Sequence, residues 1–391
     1  MKRRAPFPQA VILHVQGNKV RRRTLLKLAG IGLARRLASA RNGADEQARP
    51  RPKVVLVTTG GIRRQESFSE TGFHNIPHLA GDLVQQSIFY PYTWNEGTTS
   101  HFNTIGSILT GVWQHVDDWG RDHPADPTLL QYVQAQWKVG PSETWVVTSN
   151  KALTANIGVG ANVILSKQLL VESVERIIMG SSSRHKLDRD LLLEELTAVM
   201  QDDYERIGWS VPSPSAVMDP ELKKVFLSAL AQFINGPDSP ASGDELTWFV
   251  ATEVLRRVSP AVLVVNFSDV EVAHSGTYSL HLGGIRRNDA LIYRLWNFLQ
   301  TLPNYRNNVT LVVMPEFGRD PDGTSTNGFF NHRSNTSSNR AAWTMVLGAA
   351  VRKPVIVERE IRQIDIVPSL GALLDVNCPQ SAGRVLREFE S

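Results

Sequence analysis

Among the residues between Ala261 and His332, Asp269, His274, Glu316 and His332 carry side chains of the kind that hold divalent metals. Asp269 and His274 follow the apolar run Ala261–Val265, and Glu316 follows the run Val309–Met314. His332 comes after a Gly/Asn/Ser-rich stretch. Any one of them alone reads more readily as a hydrogen-bonded loop residue. Their shared position makes them candidates, because open α/β sheets place their chemistry just beyond the carboxyl ends of strands.

The two apolar runs are β-branched and Leu-rich with no polar alternation. They therefore read as strands buried on both faces, as in a parallel sheet covered by helices. Lys53–Thr59 is a first strand of the same kind, ended by Gly60 and Gly61, which let the backbone turn tightly or approach a ligand. Further strands are expected at Ser87–Tyr92, Thr144–Thr148, Ala341–Leu347 and Pro354–Glu358. A short helix is expected over residues 76–83 and longer ones at His101–Leu109, Pro124–Lys138, Leu191–Arg206, Pro220–Ile234, Glu245–Val258 and Ile364–Leu374. Gly111 is a natural cap for the helix that begins at His101. These elements predict an α/β fold, mainly parallel, with helices on both faces. Residues 149–243, rich in helix formers, are expected to form a helical cap or insertion.

The chain has 391 residues and a formal net charge of +4. Residues 1–40 carry ten Lys/Arg and no Asp/Glu, so removing those ten charges leaves the rest at −6. A nucleic-acid binder keeps its positive charge on the folded part, so no nucleic-acid partner is expected. Arg22-Arg23-Thr24-Leu25-Leu26-Lys27 matches the twin-arginine export pattern, followed by the weakly apolar Leu28–Ala34 and the cleavage-like Ala38-Ser39-Ala40. A basic amphipathic helix is the competing reading. Residues 1–40 thus read as a signal peptide, 41–52 as a linker and 53–391 as the α/β domain. Export by the twin-arginine machinery to a bacterial periplasm or exterior is expected, with no membrane span left after processing. Cys378 is the lone cysteine, which excludes an intrachain disulfide and a cysteine-based zinc site; it reads as a small buried residue.

The order of these features resembles the alkaline phosphatase superfamily: strand and Gly-Gly, then Ser107-Ile108-Leu109-Thr110-Gly111, then Asp269 and His274, then Glu316-Phe317-Gly318, then His332, then Gln363–Val376. The likeness covers Lys53–Trp119 and Glu245–Leu386. The Glu316-Phe317-Gly318-Arg319 stretch is most similar to a branch of exported relatives carrying that version. The resemblance implies one metal site made of Asp269, His274 and His332, suited to zinc or manganese with positions left open. It also implies in-line displacement at a phosphate or sulfate ester by a hydroxyl at a helix N-terminus.

Two departures stand out. The family's aspartate after the first strand aligns with Gly60, preceded by Thr58 and Thr59, and its Asp-His pair aligns with Glu316 and Phe317, which weakens a second metal site. The position of the nucleophile, ten residues before Gly111, is His101. Thr98, Thr99 and Ser100 directly precede it and are the candidate hydroxyls, with His101 as a nearby base; helix capping is the plain alternative. Arg319, or Arg63 and Arg64, would clamp the anionic ester, though exposed arginines are usually just solvated. Asp289 reads as a helix-surface or supporting carboxylate. A non-catalytic relative that binds a ligand or partner is the second functional reading.

Overall fold

The computed structural model describes residues 51–117, 122–150, 161–166, 169, 219–234, 242–323 and 328–389. All belong to the compact unit Arg51–Ser391. The expected export signal, the helix Leu191–Arg206 and most of the expected cap fall outside them.

Strands β1 (Lys53–Thr59), β2 (Ile88–Trp94), β3 (Thr144–Thr148), β4 (Asn162–Leu165), β5 (Val262–Phe267), β6 (Val309–Pro315), β7 (Ala341–Gly348), β8 (Val355–Ile356) and β9 (Ile361–Arg362) make one sheet. Its order is β4-β3-β5-β1-β6-β7-β2-β8, with β9 also beside β2. From β4 to β6 all neighbours run parallel; β7 is antiparallel to both β6 and β2. The fold is thus a mostly parallel, helix-covered α/β sheet.

Alternation along β1 shows how both faces are buried. Val55 and Val57 enter one apolar cluster, with residues of α3 (Pro220–Ile234), α4 (Gly243–Arg257) and α5 (Tyr278–Thr301). Val54 and Leu56 enter another, with α1 (His101–Thr110), α2 (Leu129–Trp137) and α6 (Ile366–Leu373). A two-faced core removes the reason for polar alternation, which is why these strands read as unbroken apolar runs.

Helix ends follow local chemistry. Thr128 and Gln131 form a reciprocal capping box that starts α2 later than the apolar periodicity alone predicts. Gly111 ends α1 at φ 73°, a left-handed conformation that glycine adopts at little cost. Residues 78–83 coil too widely for an α-helix, and the expected last helix opens with the 3-10 turn Gln363–Asp365. Within the expected cap, β4 extends the sheet and α3 packs into the core, Phe226 against Trp145 and Phe233 stacked on Phe249 of α4 at 4.0 Å.

Candidate metal centre

Three parallel strands end together: β1 at Gly60-Gly61, β5 at the 3-10 turn Asp269–Ser275, and β6 at Glu316–Arg319. The first residue of α1, His101, and the loop residue His332 close on the same point. Among the described residues, His101, Glu271, His274 and His332 place their ligand atoms all within 4.8 Å of one another.

The tautomers are set from behind. His101 Nδ1 lies 2.6 Å from Glu316 Oε2 and His332 Nδ1 lies 2.8 Å from the Thr99 carbonyl oxygen. Each Nδ1–H is thus donated backward, and each Nε2 lone pair faces the cluster. His274 Nε2 sits 3.1 Å from His332 Nε2 and 3.1 Å from Glu271 Oε2; His101 Nε2 is 3.4 Å from that same oxygen. Ligands about 2.0–2.1 Å from a tetrahedral zinc stand roughly 3.3 Å apart, so the donor set fits a divalent ion.

Glu271, rather than Asp269, supplies the carboxylate. On a helical turn, positions 271 and 274 share a face, whereas Asp269 turns away to Arg287 (3.1 Å) and accepts from the Asp244 amide (3.3 Å). The sequence carries the E-x-x-H spacing, but nothing in it marks residues 269–275 as a helical turn. Glu271 Oε1 also accepts from the Gly61 amide at 2.6 Å. It occupies space that Gly60 leaves open, since a Cβ there would lie 2.1 Å from Oε1. The space that a side chain at position 60 would fill is therefore taken by a carboxylate reaching over from the turn after β5.

Glu316 stands behind His101 instead of joining the four. It also accepts from Asn266 Nδ2 (2.8 Å), which donates to Thr58 Oγ1 as well (3.0 Å). Phe317, at the position that resembles a family ligand, stacks on His332 with centroids 4.2 Å apart and so braces the ring. Asp320, wholly buried, accepts from Asn331 Nδ2 (2.7 Å), Ser334 Oγ (2.5 Å) and Asn339 Nδ2 (2.8 Å). It thereby fixes the loop that carries His332.

Arg319 is fully buried: Nε donates to the Gly61 carbonyl at 2.7 Å, and one terminal nitrogen lies 2.7 Å from Glu271 Oε2. The other terminal nitrogen, Nη1, has no hydrogen-bond partner. Burial alone would raise the Glu271 carboxyl, but Arg319 and then His101 outweigh it and hold it well below the usual carboxylate range. Burial dominates at Glu316 and pushes its carboxyl up, with His101 offsetting only part.

The candidate hydroxyls are placed differently. Thr99 Oγ1 donates to the His332 carbonyl at 2.5 Å, and Ser100 Oγ accepts from Asn103 Nδ2 at 2.8 Å without capping α1. Thr98 is exposed. Arg63 is buried and clasps Glu66 and Asp322, while Arg64 lies over the Tyr92 ring at 4.4 Å. Asp289 accepts from the His78 and Leu79 amides. Cys378 is half-buried, with its thiol pushed up to about 11 by burial.

No family model and no curated protein matches the sequence. Solved structures do resemble the fold. A Vibrio parahaemolyticus protein of the alkaline phosphatase superfamily aligns at TM-score 0.55 and 12% identity, over 89% of this chain and 76% of its own. A phosphonate monoester hydrolase of Agrobacterium radiobacter aligns at 0.53 and 14%, over 87% and 77%. An alkaline phosphatase aligns at 0.52 and 10%, over 88% and 99%. With its mostly parallel strand order already placed, this chain thus shares the fold of these solved structures of the alkaline phosphatase superfamily.

Proposed function

We propose that this protein is an exported, metal-dependent hydrolase of phosphate or sulfate esters with a single divalent-metal site. The observation that carries the reading is the convergence of His101, Glu271, His274 and His332, two of whose imidazoles are oriented by acceptors behind them. Zinc or manganese suits three nitrogens and a carboxylate. Bound there, such an ion would supply Lewis acidity to an ester oxygen and to water.

The chain's own groups take the remaining roles. Arg319 Nη1 is a buried donor left for one oxygen of an anionic ester. Glu316 and the Thr99 carbonyl keep two imidazoles in the right tautomer, and Glu271 holds Arg319 in place. Water is the better nucleophile for this geometry. The helix-start position implied for a hydroxyl carries His101, and Thr99 has spent its proton on the His332 carbonyl. Ser100 is the side-chain alternative.

The test is metal content and turnover of aryl phosphate, phosphodiester and sulfate substrates, with and without chelator. One ion per chain and chelator-sensitive turnover are expected, both lost in His332→Ala and kept in Ser100→Ala. Loss of turnover in Ser100→Ala with metal retained would put the hydroxyl back as nucleophile. Metal without turnover on any substrate would favour the second reading, a ligand-binding relative, for which the burial of three of the four ligands speaks. Export rests on Arg22-Arg23 and its context; among the described residues no helix is long and apolar enough to cross a membrane.

A further inference from the structure

His274 is the one member of the cluster that keeps appreciable solvent contact, with its side chain 20% exposed. A substrate reaching the cluster therefore passes His274. The surface around that approach is aromatic. The turn Gly328–Phe330 packs against the turn Asp269–Ser275, which sets Phe329 and Phe330 beside the segment bearing Glu271 and His274. Tyr278, the first residue of α5, follows His274 by four positions. Tyr278 and Phe329 meet edge to face with centroids 4.9 Å apart, and Phe329 and Phe330 do so at 5.4 Å.

This ledge is both exposed and fixed. Tyr278 is 40% and Phe330 38% exposed. The Tyr278 hydroxyl donates to Glu66 Oε1 at 3.1 Å, and Glu66 is buried and paired with the buried Arg63. Ring surface left in water is unfavourable by about 25 cal/mol per Å². Rings already held in one rotamer lose little entropy when a flat group stacks on them. Recognition of an oxyanion alone requires none of this surface.

We propose that Tyr278, Phe329 and Phe330 form a subsite for the organic part of the ester, and that this part presents a flat apolar ring face. The ring lies on the ledge while the charged ester group turns inward past His274 toward Arg319. This subsite rests on the ester-hydrolase reading.

Calorimetry on the zinc-loaded full chain tests it, with methylphosphonate, phenylphosphonate and glucose 6-phosphate as probes. Phenylphosphonate should bind about tenfold more tightly than methylphosphonate. Phe330→Ala and Tyr278→Ala should each bring that ratio toward one, with the methylphosphonate Kd unchanged. A preference for glucose 6-phosphate over methylphosphonate, lost in the same variants, would support the ledge with a sugar as the source of the ring. A ratio near one for both ring probes in the native chain, or one that neither variant alters, would overturn the subsite alone. Failure of every probe to bind would overturn the subsite and the hydrolase reading together.

Discussion

Room for the Glu271 carboxylate depends on residue 60 having no side chain. Gly60→Ala should force Glu271 out of the cluster, because the new methyl would meet Oε1 at 2.1 Å and Val270 Cγ2 at 2.8 Å. Overpacking of this kind costs about 1–3 kcal/mol. Zinc titration should show affinity falling by roughly a hundredfold, toward the upper end of what displaced supporting groups cost. Asp320 acts at one remove. Asp320→Asn puts an amide where two of three acceptor bonds to the His332 loop must be remade, and should weaken zinc binding by about 10–100-fold. An unchanged zinc affinity in Asp320→Asn would show that the loop holds His332 without it.

At the scale of elements, α1 delivers His101 and must stop where it does. Gly111→Ala combines a left-handed φ of 73° with a Cβ 2.1 Å from Ser381 Oγ, so denaturant unfolding should show a loss of about 1–3 kcal/mol. The strand ends and α1 were legible in the sequence because strictly local signals fix them: unbroken apolar runs, a terminal glycine, a polar start. His274 and the supporting Glu316 are legible as polar residues just past such strands, and His332 as a histidine in the loop that follows. Glu271 was hidden because its place depends on a single 3-10 turn and on an empty position at Gly60, a contact between residues 211 positions apart. From sequence alone His101 reads as a base beside a hydroxyl. Only the tertiary approach of Glu316 shows that its Nδ1 is already engaged.

For the whole molecule, acid should be destabilising through His281. Burial first, and then the Arg319 charge, hold this imidazole down to about 3, while its Nδ1 donates to the Val270 carbonyl. The unfolded chain takes up a proton near the ordinary 6.5 that the folded one refuses. The group's contribution is therefore intact above 6.5 and falls as pH drops toward 3. By about pH 4.5 the loss is roughly 3 kcal/mol, at about 1.4 kcal/mol per pH unit. Urea unfolding at the two pH values should show that difference, and His281→Asn should flatten it. Arg22→Lys with Arg23→Lys should retain the chain in the cytoplasm; undiminished appearance outside would exclude the twin-arginine route.

The strand at the middle of the sheet is also the earliest among the described residues. β1 has β5 on one side and β6 on the other, both supplied by far later sequence. A growing polypeptide therefore exposes two bare strand edges for most of its synthesis. His332, coming after both neighbours, completes the ligand set only once they have emerged. On the metal-site reading, a chain truncated before β6 would lack His332 and should be both metal-free and prone to self-association.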